Sequence, residues 1–78
     1  MELVADILAE AMSGANKTRI MYRANLNLSR FDVYLSELLK NGLLTREKNG
    51  NGPIVYRTTA AGVSLLETLR KAEELMGL

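Results

Sequence analysis

The chain has no cysteine and no histidine in 78 residues. Without cysteine there are no disulfides, no thiolate metal sites and no cysteine nucleophile. Without histidine the usual general base at neutral pH and the commonest nitrogen ligand for metals are missing as well. Nine carboxylates remain, but their spacing puts them on polar helix faces, not as a close pair in apolar surroundings. The expectation is a protein that is not an enzyme, with no cofactor, no metal and no small-molecule ligand. Long apolar runs are lacking too. Nothing approaches the roughly 18–20 residues of a membrane span, and no signal peptide precedes the first helical segment. A cytoplasmic chain with no membrane partner is expected. Proline occurs once, at Pro53, beside a run of glycine and asparagine.

What the chain does have is apolar content and segregated charge. With 47% hydrophobic residues, residues 1–78 can close one core, near the lower size at which a domain folds without staples. The net charge of +1 conceals its distribution. Residues 1–15 carry Glu2, Asp6 and Glu10 and no base, a net of −3. Residues 16–60 carry eight bases (Lys17, Arg19, Arg23, Arg30, Lys40, Arg46, Lys48 and Arg57) against three acids (Asp32, Glu37 and Glu47), a net of +5. Residues 61–78 carry Arg70 and Lys71 against Glu67, Glu73 and Glu74, a net of −1. Positive charge gathered in the middle of the chain is what phosphate neutralisation requires.

Periodicity divides the chain into elements. A first helix, about Glu2 to Met12, sets Leu3, Val4, Ile7, Leu8 and Ala11 against Glu2, Asp6 and Glu10. Ser13-Gly14-Ala15-Asn16 breaks it. A second helix, about Lys17 to Ala24, buries Ile20, Met21 and Tyr22 and turns Arg19 and Arg23 outwards at i and i+4. Asn25 to Leu28 connects, its leucines anchoring the turn. A third helix, Ser29 to Asn41, is capped by Ser29 with Asp32 on its positive end. Phe31, Tyr34, Leu35 and Leu38 form its buried face, and Arg30, Val33, Glu37 and Lys40 its outer one. Asn41-Gly42 stops it.

Leu43 to Lys48 and Ile54 to Thr58 then read as two strands around Asn49-Gly50-Asn51-Gly52-Pro53. Because Pro53 cannot donate to a ladder, pairing should resume at Ile54 or Val55. Gly50-x-Gly52 is followed by a strand and lacks the helix N-terminus of a nucleotide loop. Thr59 caps a last helix, about Ala60 to Met76, roughly 25 Å long. Leu65, Leu66 and Leu69 close the core, and Ala72, Leu75 and Met76 extend the apolar stripe.

The order of three helices, a two-stranded wing and a long C-terminal helix predicts an α+β winged helix-turn-helix. The commonest use of that fold is to grip double-stranded DNA. Helix three would then enter the major groove, with Arg30 suited to guanine and Ser36 to any base, beside Ser29, Val33, Glu37 and Lys40. Lys17, Arg19 and Arg23 would hold phosphates, and Arg46 and Lys48 would add wing contacts. Leu69, Ala72 and Met76, at i, i+3 and i+7, form a possible homodimer seam in 60–76. Each element also has a plainer reading. The mixed signs of helix three suit a solvated face, the wing suits an exposed hairpin, and Arg19 and Arg23 suit ion pairs. Leu69, Ala72 and Met76 suit packing on helix one. The alternative function is a winged helix that docks a protein partner and has no significant DNA affinity.

Lys17-Thr18-Arg19-Ile20-Met21-Tyr22, followed by Ala24-Asn25-Leu26, resembles the signature of small archaeal winged-helix DNA-binding proteins of the ten-kilodalton class. Related archaeal winged-helix transcriptional regulators share it. Tyr34-Leu35, Leu38, Tyr56, Thr59, Gly62, Leu65-Leu66 and Arg70-Lys71 match in register, so the resemblance covers about residues 3 to 75. It implies a homodimer joined by antiparallel C-terminal helices, each protomer holding duplex DNA in the nucleoid. The chain departs from that pattern in its shorter last helix, in the wing insertion Asn49 to Pro53 and in its low net charge. These departures favour a sequence-selective regulator over a bulk DNA-coating protein.

Overall fold

The computed structural model describes residues 2–48 and 50–77, apart from the side chain of Glu2. The expectations for the Glu2 side chain, for Asn49 at the wing tip and for Leu78 lie outside the described residues. The elements run α1 (Glu2–Glu10), α2 (Lys17–Ala24), α3 (Leu28–Lys40), β1 (Leu44–Lys48), β2 (Ile54–Thr58) and α4 (Ala60–Met76). This is the expected α+β winged helix-turn-helix order.

Helix ends follow local stereochemistry. Asn16 caps α2, its side-chain oxygen accepting from the Arg19 N–H at 2.9 Å. Asn25 closes α2 in the left-handed region at φ 55°, a conformation asparagine tolerates better than most residues. There the Asn25 and Leu26 N–H groups donate back to the Tyr22 and Met21 carbonyls. The cap of α3 is Asn27, whose Oδ1 accepts from the Arg30 N–H at 2.9 Å. Ser29, expected in that role, lies inside the first turn and donates its hydroxyl to the same Asn27 oxygen at 3.2 Å. Gly42, at φ 72°, lets the chain leave α3, with the Leu43 N–H donating to the Leu38 carbonyl at 2.9 Å.

The core is built around α1, which contributes Val4, Ala5, Ile7, Leu8 and Ala11 and packs against both α2 and α4. Phe31, Ile7, Leu8 and Ile20 are fully enclosed. Further expectations are corrected, and the first of them is the wing, whose first strand starts at Leu44 and not at Leu43. α1 ends at Glu10, short of Met12. Tyr22 is 77% exposed and not buried; two residues beyond the enclosed Ile20, it falls on the opposite side of a 3.6-residue turn. Leu26 packs against the core, whereas Leu28 opens α3 facing solvent.

The wing is an antiparallel hairpin in which Leu44 faces Thr58 and Lys48 faces Ile54, so pairing resumes directly after Pro53. It is anchored more deeply than a local hairpin. Ala15 and Tyr56 exchange both backbone hydrogen bonds, at 3.0 and 2.9 Å, giving β2 a one-residue partner on its other side. Next along, the Thr58 N–H donates to the Ala11 carbonyl at 3.0 Å and the Thr58 hydroxyl to the Leu8 carbonyl at 2.6 Å. The Ala11 carbonyl also accepts from the Gly14 N–H at 3.1 Å. The Leu8 carbonyl lies in the last turn of α1, where carbonyls lack intrahelical partners, and the Thr58 hydroxyl supplies one, which accounts for this buried polar side chain.

The wing joins α4 equally tightly. Thr59 Oγ1 accepts from the Gly62 N–H at 3.0 Å and donates to the Gly42 carbonyl at 2.7 Å. The Thr59 N–H donates to the Leu43 carbonyl at 3.1 Å. Gly62 is pressed onto that same carbonyl, and a Cβ there would collide with Leu43 O and come within 2.6 Å of Thr58 Cγ2. Leu66 is buried one turn on, with Leu65 and Leu69 half-buried.

Candidate nucleic-acid interface

Burial of Phe31, Leu35 and Leu38 turns the opposite side of α3 outwards. Ser29, Val33, Ser36 and Lys40 recur there at i, i+4, i+7 and i+11, with Arg30 and Glu37 on one shoulder, and all six are exposed. Val33 lies near the centre of this surface and is 63% exposed.

Ion pairs sort the basic residues into two groups. Lys17 Nζ lies 2.7 Å from Asp32 Oδ1, joining the start of α2 to the second turn of α3. Arg19 Nη2 lies 3.1 Å from Glu10 Oε1 on α1, the plainer of the two roles its position allowed. Arg57 Nε lies 2.9 Å from Glu47 Oε1 across the wing. Pairs this exposed are worth about 0–1 kcal/mol each, so a phosphate can compete for these cations. Arg23, Arg30, Lys40, Arg46 and Lys48 have no acidic partner within 4.0 Å among the described residues.

Strand register sorts the wing in the same way. Cross-strand partners share a face, so Arg46 opposite Tyr56 and Lys48 opposite Ile54 project on the side of the buried Tyr56. The Glu47–Arg57 pair occupies the other side. The two unpaired wing cations therefore stand on the side against which the helices pack, and α3 packs against β1.

Sequence reasoning missed three features of this surface. The Lys17–Asp32 pair spans fifteen residues and has no local signature. Asn27 and Ser29 are both capping residue types, and only the path of the turn chooses between them. Exposed Tyr22, beside Arg23, adds a phenol to the outer side of α2; the helical period does contain that signal. The proposed dimer residues are spread differently, with Leu69 half-buried against the core, Ala72 exposed and Met76 74% exposed.

Among the described residues no helix is long and apolar enough to cross a membrane, and no three acidic side chains gather as a metal site would need. A three-helix core, a two-stranded wing and an exposed third-helix face define a winged helix-turn-helix domain. The chain belongs to the winged helix-turn-helix family, whose model matches residues 1–77. It is 33% identical over 76 residues to an uncharacterized protein of Methanocaldococcus jannaschii, covering 96% of this chain and 73% of that protein.

Proposed function

We propose that this chain binds double-stranded DNA as a transcriptional regulator or nucleoid-associated protein of the cytoplasm. The observation that carries the reading is the pairing pattern of its charges. Among the described residues, five of the seven cations without an acidic partner, Arg23, Arg30, Lys40, Arg46 and Lys48, lie on α2, α3 and the core side of the wing. The other two are Arg70 and Lys71 on α4, while Asp32 and Glu47 are each held by a base. The first turn of α3, with Arg30, is the end that meets base edges when a helix of this kind enters the major groove. Arg23, Arg46 and Lys48 suit phosphate contacts, and Lys17 and Arg19 join them where phosphate displaces their carboxylate partners. Membership of the winged helix-turn-helix family and the resemblance to archaeal winged-helix regulators support the same reading.

Salt tests it. With five phosphate contacts per protomer, log K for duplex DNA should fall with log salt at a slope of roughly −4 to −5. Affinity that stays flat between low and physiological salt rejects the reading. Residue roles separate on a preferred site. Arg30→Ala should cost about 1–3 kcal/mol there and relax base preference. Lys48→Ala should weaken all duplexes alike and reduce the slope by about one.

The assembly proposed is a homodimer through the distal half of α4, where Ala72, Leu75 and Met76 are exposed. A second reading has its own observation. A groove of about 440 Å³, lined mainly by Val4, Val33, Tyr34, Leu38, Leu43 and Leu65, opens between α1, α3 and α4, and would suit a protein partner. Flow-through on heparin and on duplex DNA at low salt favours that alternative.

A further inference from the structure

We infer that Val33 is a thymine-reading residue, its methyl groups meeting the C5 methyl of thymine on the floor of the major groove. The inference rests on the DNA-binding reading above and deepens it to a base preference. Val33 breaks the pattern of its own helix. The buried stripe of α3 is complete without it, yet this β-branched side chain, which also lines the groove shared with Val4, Tyr34, Leu38, Leu43 and Leu65, stands 63% exposed near the centre of the outer face. An apolar residue there gains nothing from water and adds nothing to helix propensity. In a helix valine holds one dominant χ1 rotamer, so its two methyls are presented at a fixed place on a helix already anchored in the core by Phe31, Leu35 and Leu38.

The chemistry of the groove supplies the complement. Thymine carries the apolar group that a base pair offers on its major-groove edge. The neighbours of Val33 on this face have other complements. Ser29 and Ser36 accept any base, Lys40 suits phosphate or guanine, and Glu37 needs an amino donor such as cytosine N4. Val33 is thus the side chain on the outward face of α3 whose partner is set by shape and apolarity alone.

The test replaces one methyl group. A preferred site is selected from random duplexes with the wild-type chain, and each thymine in it is then changed singly to uracil, which keeps every hydrogen-bonding group. One position should bind about fourfold more weakly with uracil, the effect of one methyl returned to water. In Val33→Ser the thymine and uracil duplexes should bind equally. The exposed position and the similar helix propensities of serine and valine keep the variant folded, which its thermal melt verifies. Uracil tolerated at every position overturns the inference, and so does a thymine preference that survives in Val33→Ser. Salt-dependent duplex binding with no such preference sinks this inference and leaves the DNA-binding reading standing. No retention on any duplex at low salt removes both.

Discussion

The two halves of α4 have similar sequence periodicity and opposite surroundings. In the first half Thr59 caps the helix, Gly62 is pressed onto the Leu43 carbonyl and Leu66 is buried. In the second, Leu75 and Met76 are 79% and 74% exposed. The reason is length. α1, the helix against which α4 packs, has nine residues to the seventeen of α4, about 13 Å against about 25 Å at 1.5 Å per residue. A helical period says which residues share a face, but only the partner's length decides how much of that face is covered.

The comparison can be broken at its tightest point first. Gly62→Ala puts a Cβ into the Leu43 carbonyl and against Thr58 Cγ2, and neither is the free end of a flexible side chain. It should cost about 3 kcal/mol or more, beyond ordinary overpacking because backbone must move. Urea unfolding followed by circular dichroism measures it, and a variant as stable as the wild type would mean the two halves are equally loose. Thr59→Ala should cost less, about 1–2 kcal/mol, by removing the cap of the first turn and the donor to the Gly42 carbonyl. Leu75→Glu should have the smallest effect on folding, within about 0.5 kcal/mol when the chain is dilute. Its effect on assembly should be large, leaving a species of 8.6 kDa in sedimentation. A wild type that already sediments at that mass at high concentration would assign the exposed end of α4 to something other than self-association.

Much of this architecture was legible because strong stereochemical stops bound the elements. α2, β2 and α4 have the limits that Asn25, Pro53 and Thr59 impose, each residue acting through its own backbone or side chain. The exposed surface of α3 was legible as the complement of Phe31, Leu35 and Leu38. Features that depend on distant partners were not. The Ala15–Tyr56 bridge joins an alanine in a turn to a strand 41 positions later, and alanine carries no local sign of it. Thr58 reads as an ordinary strand residue until the end of α1 is beside it, 50 positions away, with a carbonyl to satisfy. The division of the cations into paired and unpaired was equally invisible, since Lys17–Asp32 and Arg19–Glu10 join different helices. Tyr22 is a different case, because its spacing from Ile20 already placed it outside.

The Ala15 bridge also decides how copies of the domain meet one another when no ligand is present. By occupying the far side of β2, it leaves β1 as the open border of the sheet, with no strand beyond it among the described residues. An open border invites a strand from another molecule, the first step of edge-to-edge aggregation. The residues on it after Leu44 are Thr45, Arg46, Glu47 and Lys48, all exposed, and charge on an edge strand is the usual defence against such pairing. Arg46 and Lys48 should therefore oppose edge pairing whether or not they ever meet a phosphate, and a wing stripped of charge should aggregate before it loses its fold.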